Sequence, residues 1–276
     1  MKNFVFHTSS PSLVAVYFRT AFFFAKFCYN QNMTEQSYED FISTVSHELR
    51  TPLTSIRGFS QTMLSSWDKL DDESKKRFLK IIEEQSNRLI SLVENMLSVT
   101  KLQSSKEIFI YKETDIEPII STVVSIVKNQ YKDKIFEINI NDKTPTITVD
   151  RDKFQQVMMN VIENAAKYST PDARVCIVAD LCGDFVSIKI SDVGVGISEE
   201  DKSKIFNKFS RIDSPLTRKV QGSGLGLYIT KNIVEKMKGE ISVTSNRIEG
   251  EKFLTTFEVK FPVSNIENQV REACRP

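Results

Sequence analysis

Histidine is nearly absent from this chain. Its 276 residues include two, His7 and His47, and any chemistry that needs an imidazole in the folded body falls to His47. An excess of one charge is missing too. Lys and Arg number 37 against 36 Asp and Glu, a formal net charge of +1. That balance gives no electrostatic footprint for nucleic acid, and no long basic run exists to grip anionic lipid. Four cysteines, Cys28, Cys176, Cys182 and Cys274, fit no zinc-ligand spacing. Cys176 and Cys182 lie six apart in apolar, strand-like sequence, so they are expected to share a sheet face as reduced packing residues. No Gly-x-x-x-x-Gly-Lys-Ser/Thr string occurs, which excludes a P-loop.

A long apolar run is lacking as well. Leu13 to Tyr29 is rich in Phe, Val and Ala, but Arg19 and Lys26 interrupt it. A spanning helix needs roughly 20 apolar residues, and the order of charges suits a signal peptide poorly. Two readings of a leader over 1–34 stay open. Met33 is the native start, or the leader is a membrane-surface anchor. The sequence shows no sensor domain or two-helix membrane anchor of recognisable size. The input signal is then expected from the leader, a separate partner or a longer parent chain; the expected location is cytoplasmic, with peripheral membrane contact resting on the leader. The tail, 265–276, is polar and expected to fray.

What is present is the composition of an ordinary soluble protein, 40% hydrophobic and 26% charged. From Glu35 to about Ser65, Ile42, Val45, Leu49, Leu53, Ile56 and Met63 recur at threes and fours, which predicts a helix. Pro52 falls inside it, and a kink is expected about one turn earlier. Trp67 to Asp72 reads as a turn. A second helix follows to about Gln103, where Phe78, Ile82, Gln85, Leu89, Leu92, Met96 and Val99 alternate steps of four and three as a heptad seam. The two helices are expected to fold back as a hairpin over 35–104. One hairpin cannot cover its own seams, so a homodimer making a four-helix bundle is the natural solution.

After Ser104 the period changes. Strands are expected at Glu107–Lys112, Ile135–Ile140, Thr146–Val149, Arg174–Leu181, Phe185–Ile190, Glu240–Ser245 and Lys252–Phe261. Helices are expected at Ile116–Tyr131, Phe154–Tyr168 and Gly224–Met237. The class is α+β, with an α/β sandwich over 105–264 following the helical hairpin.

His47 lies about 200° around its helix from Val45 and about 200° the other way from Leu49, at about 100° per residue, and so points to solvent. Thr51 is one turn on and shares its face; Glu48 sits beside it. The string Ser46-His47-Glu48-Leu49-Arg50-Thr51-Pro52-Leu53 resembles the H-box of the bacterial two-component sensor histidine kinases, residue for residue. A neutral imidazole is a usable nucleophile near pH 7. The resemblance implies that His47 accepts a phosphoryl group, that Glu48 takes the hydrogen of one ring nitrogen, and that Thr51 positions water for dephosphorylating a partner.

Four further strings follow in the family's order. Asp152 to Tyr168 resembles the N-box, with Asn160 and Asn164 on one helix face, Lys167 near it, and Tyr168 beside the base. Magnesium takes hard oxygen ligands and leans on phosphates for the rest, so Asn160 and Asn164 are the expected metal ligands. Asp192-Val193-Gly194-Val195-Gly196-Ile197 resembles the G1 box, whose Asp accepts from the adenine amino group. Guanine presents a carbonyl there. Ile205 to Arg211 resembles the F-box, with Phe206 and Phe209 anchoring a lid and Arg211 reaching a phosphate or holding the lid. Gly222-Ser223-Gly224-Leu225-Gly226-Leu227 resembles the G2 box at a helix start, an anion site. Gln221 stands where that family often has glycine, and Leu227 excludes the dinucleotide Gly-x-Gly-x-x-Gly.

The resemblance spans roughly 36–263. It implies an ATP- and Mg2+-dependent autokinase (a phosphotransferase) that labels His47 and passes the phosphoryl group to an aspartate of a response-regulator receiver domain. Two rivals stand beside it. One is a non-catalytic, ATP-gated dimeric scaffold that docks a response regulator. The other is an ATP-driven clamp like those of gyrase and heat-shock chaperones, against which the hairpin's exposed histidine argues.

Overall fold

The structure is a computed structural model that describes residues 35–103, 107–141, 143–210, 224–250 and 252–263. The leader and the tail from 264 lie outside the described residues, as do Arg211 and Gly222. The chain divides into two units, Met1–Thr100 and Lys101–Pro276.

The first unit is a helical hairpin. Helix α1 runs over Glu35–Ser66, a 3-10 turn over Trp67–Lys69, and helix α2 over Asp72–Gln103. Asp71 starts α2: its carboxylate accepts from the Ser74 backbone N–H at 2.7 Å, which satisfies a donor that the first turn leaves free. The same N–H and the Ser74 hydroxyl hold the Asp71 carboxyl below its ordinary range. The heptad seam is where it was expected. Leu89, Leu92, Met96 and Val99 are buried, as are Val45, Pro52 and Met63 among the described side chains of α1. Phe59 and Phe78 tie the loop end together with ring centroids 5.1 Å apart. Helix α1 continues through Pro52 without a break, although proline removes the N–H that would meet the Glu48 carbonyl.

The second unit opens with strand β1, Tyr111–Thr114, and helix α3, Glu117–Gln130. Strands β2, Ile135–Ile140, and β3, Ile147–Asp150, precede helix α4, Arg151–Tyr168. The hairpin of β4, Arg174–Cys182, and β5, Phe185–Gly194, follows. Next come the short helix α5, Glu199–Lys202, helix α6, Gly226–Lys236, and strands β6, Glu240–Glu249, and β7, Lys252–Pro262. Five strands form one mixed sheet in the order β2-β4-β5-β7-β6, and β1 pairs antiparallel with β3 apart from it. Only the β2–β4 pair of the large sheet is parallel.

Helices α3, α4 and α6 cover one face of this sheet. That face is apolar along most of its length: Val175, Ile177 and Ala179 on β4, Val186, Ile188 and Ile190 on β5, and Phe257, Val259 and Phe261 on β7. Against them pack Phe154, Met158, Val161 and Ile162 of α4 and Ile233 of α6. Each such side chain contributes about 1.5–3 kcal/mol by leaving water. Cys176 and Cys182 share the opposite face of β4 and are free thiols.

Among the boundaries that differ from the sequence reading, three are set by contacts that bear on the site. The expected strand at 107–112 begins at Tyr111, because the Ile110 N–H goes to the Asp150 carboxylate at 2.8 Å instead of to a ladder. Helix α4 begins at Arg151 because Asp150 also accepts from the Lys153 N–H at 3.1 Å and caps it. Strand β5 does not stop at Ile190. It pairs with β7 as far as Gly194, carrying the glycine motif into the sheet.

Candidate functional site

In the first unit, His47 and Thr51 are exposed on α1, one turn apart, and Glu48 is partly buried. The Thr51 hydroxyl donates to the His47 carbonyl at 3.2 Å, back along its own helix. The Glu48 carboxylate does not stand alone. Arg88 of α2 donates to it at 3.1 Å, with both side chains largely covered. An imidazole thus faces solvent beside a carboxylate that the opposite helix holds in place.

In the second unit, the apolar face of the sheet changes character at one register row. Val175, Asp192, Thr255 and Ser245 are neighbours across β4, β5, β7 and β6. Asp192, Thr255 and Ser245 are all buried, with Asp192 4% exposed. Ser245 and Thr255 share a hydroxyl hydrogen bond of 3.1 Å, and the Ile197 N–H donates to Ser245 at 3.0 Å. Burial pushes the Asp192 carboxyl up to about 7, and nearby Lys134 pulls the other way. A carboxylate withdrawn from water at the end of an apolar face is suited to reading a flat heterocycle with an amino edge.

Glycine is required beside it. A methyl group at Gly194 would overlap the Tyr168 carbonyl and come 2.8 Å from the Asp192 carboxylate. Gly196 has φ +73 and lies against the Phe253 ring, where a side chain would be both strained and crowded. The chain after α4 is laced to the same strand end. The Val195 N–H donates to Tyr168 O at 3.3 Å and the Thr170 N–H to Val193 O at 3.0 Å.

Asn160 and Asn164 are one turn apart on α4 and partly buried. The Asn160 amide nitrogen donates to the Thr230 hydroxyl of α6 at 2.7 Å. That bond turns the Asn160 side-chain oxygen toward Gly226, where any β-carbon would collide with it. Oxygen is the atom a hard cation takes, so the geometry fits the expected donor set. Among the described residues there is no cluster of three or more His, Cys, Asp or Glu that would hold a metal without help from a ligand. Lys167 lies with Nζ 5.6 Å from the Tyr168 ring at the end of α4.

The F-box and G2 strings meet. Phe209 has φ 59, and a methyl group at Gly224 (φ +66) would come within 2.7 Å of the Phe209 backbone. Leu225 is buried just before α6 begins at Gly226. Lys231 of α6 sits over the Phe206 ring at 5.9 Å and Lys208 over the Tyr228 ring at 5.3 Å. Phe206, Phe209, Gly224, Leu225 and Gly226 therefore come together on the N-terminal part of α6.

Sequence reasoning missed Thr230, Ser245, Thr255 and Lys134. Thr230 carried a readable signal, a polar residue among Ile229, Ile233 and Val234 on the buried stripe of a helix. The others did not: serine and threonine are ordinary strand residues, and lysine is an ordinary loop residue.

Two family models match the chain. One, the phospho-acceptor domain of His Kinase A, covers residues 37–105. The other, the histidine kinase-, DNA gyrase B- and HSP90-like ATPase, covers residues 149–265. The chain is 35% identical over 241 residues to the sensor protein kinase WalK of Staphylococcus aureus, covering 86% of this chain and 57% of that protein. Against WalK of Staphylococcus saprophyticus it is 35% identical over 224 residues, 80% of this chain and 36% of the relative. The chain thus spans between about a third and just over half of these relatives' length. Among solved structures, the histidine kinase ThkA in complex with the response regulator protein TrrA matches with TM-score 0.61 and 25% identity, over 80% of this chain and 61% of that one. The Acinetobacter baumannii histidine kinase AdeS shares the fold, with TM-score 0.60 and 24% identity over 79% of this chain and 98% of that one.

Proposed function

Because the chain belongs to the bacterial two-component sensor histidine kinases, we propose that it is an ATP-dependent protein histidine kinase that phosphorylates His47 and passes the group to an aspartate of a response regulator. The observation that carries this reading is that one chain holds both an exposed His47, beside the Arg88-held Glu48, and a buried Asp192 at the end of the apolar face of an ATPase-type sheet. We assign 35–104 to dimerisation and phosphotransfer and 105–264 to ATP binding.

Asp192 accepts from the adenine amino group, and Gly194 and Gly196 let the backbone lie against the base. Tyr168 lines the base, and Lys167 meets the phosphates. Asn160 and Asn164 would hold Mg2+ through their amide oxygens, together with phosphate oxygens; when bound, the ion supplies charge stabilisation. Gly222, Gly224, Leu225 and Gly226 bring backbone N–H groups and the start of α6 to the phosphates, and Phe209 and Arg211 hold that segment. A ring nitrogen of His47 forms a bond to the γ-phosphorus as the bond to the β–γ bridging oxygen breaks and ADP leaves with the electron pair. Glu48 takes the proton from the other ring nitrogen. Positioning and charge stabilisation supply most of the acceleration.

The phosphoryl acceptor is a receiver-domain aspartate, a role supported by the likeness to the ThkA–TrrA complex. Thr51, exposed one turn from His47, orients water for the reverse removal of that phosphoryl group. The hairpin pairs with a second copy as a four-helix bundle. Ile90 and Leu97, one heptad apart on α2, together with Leu64 and Leu79, are exposed apolar residues that a second hairpin would cover. Consumption of ATP places the catalytic unit in the cytoplasm. Among the described residues no helix is long and apolar enough to cross a membrane.

The test is incubation with γ-labelled ATP and magnesium beside a His47→Gln variant. An acid-labile label on the unsubstituted chain alone is expected. ATP binding without label would leave the ATP-gated scaffold as the better reading.

A further inference from the structure

Lys134 is a lysine that water scarcely reaches. It is 8% exposed, in the loop just before β2. Its ammonium donates to the Thr170 carbonyl at 2.6 Å and the Ser169 carbonyl at 3.4 Å, and pairs with Asp133 at 3.0 Å. An ammonium is kept out of water only where fixed acceptors replace it. The two carbonyls belong to the turn after α4, and that turn is itself bonded to the end of β5. Ser169 bridges to Gly194, and the Thr170 N–H and hydroxyl both reach Val193 O.

Register places Lys134 on the face that carries Asp192. Phe136 pairs with Val175, and Val175 with Asp192. Lys134 precedes Phe136 by two residues, so its side chain leaves the strand's extension on the same side as Asp192. The other elements packed around Asp192 present mostly neutral groups. Val175 of β4, Thr255 of β7 and Ser245 of β6 share its row. Helix α4 ends in Lys167 and Tyr168, and its Glu163 is engaged by the Tyr131 hydroxyl at 3.4 Å. The loop before β2 brings Asp133 and Lys134.

We propose that Lys134 is a positioning residue that sets base specificity: its buried ammonium braces the Ser169–Thr170 turn against Val193 and Gly194 and sets a positive charge beside Asp192 that favours its carboxylate form, so that the pocket prefers adenine to guanine. This rests on the ATP reading above. A carboxylate at the base edge accepts from the adenine amino group and repels the guanine carbonyl. A neutral carboxyl can donate to that carbonyl and loses the distinction. Burial drives Asp192 toward the neutral form, and Lys134 opposes it.

The experiment is calorimetric binding of Mg-ATP and Mg-GTP to the full chain between about pH 6 and about pH 8.5. Lys134→Met, Lys134→Gln and Lys134→Arg are compared with the unsubstituted protein. Gln keeps a donor for Thr170 O without the charge, so it separates bracing from electrostatics and serves if Met does not fold. The ATP-over-GTP ratio near neutral pH is expected to fall several-fold in the Met and Gln variants, as the anionic fraction of Asp192 drops. It should recover toward the alkaline end and stay at the unsubstituted value in Lys134→Arg. A ratio unchanged at every pH in the Gln variant overturns the proposal. So does an equal, pH-independent loss of both nucleotides, which marks a structural brace alone. Failure of the unsubstituted chain to bind ATP at all would instead bring down the ATP reading, and this proposal with it.

Discussion

Arg88 and Glu48, forty residues apart, meet at 3.1 Å across the helical hairpin. The carboxylate adjoining His47 on α1 is therefore oriented by α2. Replacing Arg88 with Ala should slow autophosphorylation several-fold while leaving ATP affinity unchanged. The hairpin should lose about 1 kcal/mol, the scale of a partly exposed pair. Single-turnover labelling at saturating ATP, alongside thermal unfolding, reads both. An unchanged labelling rate would show that Glu48 needs no such support.

Thr51 bonds only weakly to its own helix, through an exposed hydroxyl. Thr51→Ala should cost less than about 0.5 kcal/mol of stability and spare labelling of His47. Release of phosphate from a phosphorylated response regulator should fall at least tenfold. Parallel loss of both activities would make Thr51 a structural residue.

Glycines divide by what surrounds them. Gly226→Ala drives a methyl group into the Asn160 side-chain oxygen, and Gly194→Ala drives one into the Tyr168 backbone. Each should cost about 1–3 kcal/mol and abolish nucleotide binding. Gly183, at φ +62 in the β4–β5 turn, has nothing within 4 Å. Gly183→Ala should cost about 1 kcal/mol of backbone strain with ATP binding intact. Calorimetry on the three variants separates crowding from strain.

Asp192 gives a pH signature in the ligand-free protein. Its folded-state carboxyl lies near 7, above the ordinary value of 3.8, because burial disfavours the charge. The folded state then binds the proton more tightly than the unfolded chain does. The stability associated with this group is greatest in acid and is lost as pH rises toward about 7. Asp192→Asn should therefore match the unsubstituted protein near pH 4. It should gain on it, by on the order of 4 kcal/mol at most, as pH climbs from about 4 to about 7, and level off above that. Denaturant unfolding across that range checks the sign. A gap that shrinks with rising pH would contradict it.

Much of this was legible in the sequence. The hairpin was, because a heptad repeat reports burial directly, and Leu89, Leu92, Met96 and Val99 lie inside. The exposure of His47 followed from its angle to Val45. Helix α5 was missed although its signal was present. Ser198 and Asp201 stand three apart, and the Ser198 hydroxyl accepts from the Asp201 N–H at 3.1 Å. Asp150 was missed as a cap because it reads as the last residue of a strand. Lys134 was beyond reach. Its neighbours Lys132 and Asp133 suggest a solvated turn, and its partners are backbone carbonyls of residues 169 and 170, which no side-chain pattern encodes. The metal and phosphate roles proposed for Asn160 and Gly226 rest on family likeness. What the structure adds is that Thr230 fixes which atom of Asn160 is on offer.

Strand β5 carries Asp192 in the middle of the sheet, laddered on both sides by β4 and β7. The Asp192 carboxylate is thus held by the sheet itself, and the proposed contact with the base leaves little ordering to be done there on binding. A small planar compound with an amino edge should therefore bind with high affinity per atom through this position alone, without a triphosphate. That makes the base end the place to begin an inhibitor by growing a fragment.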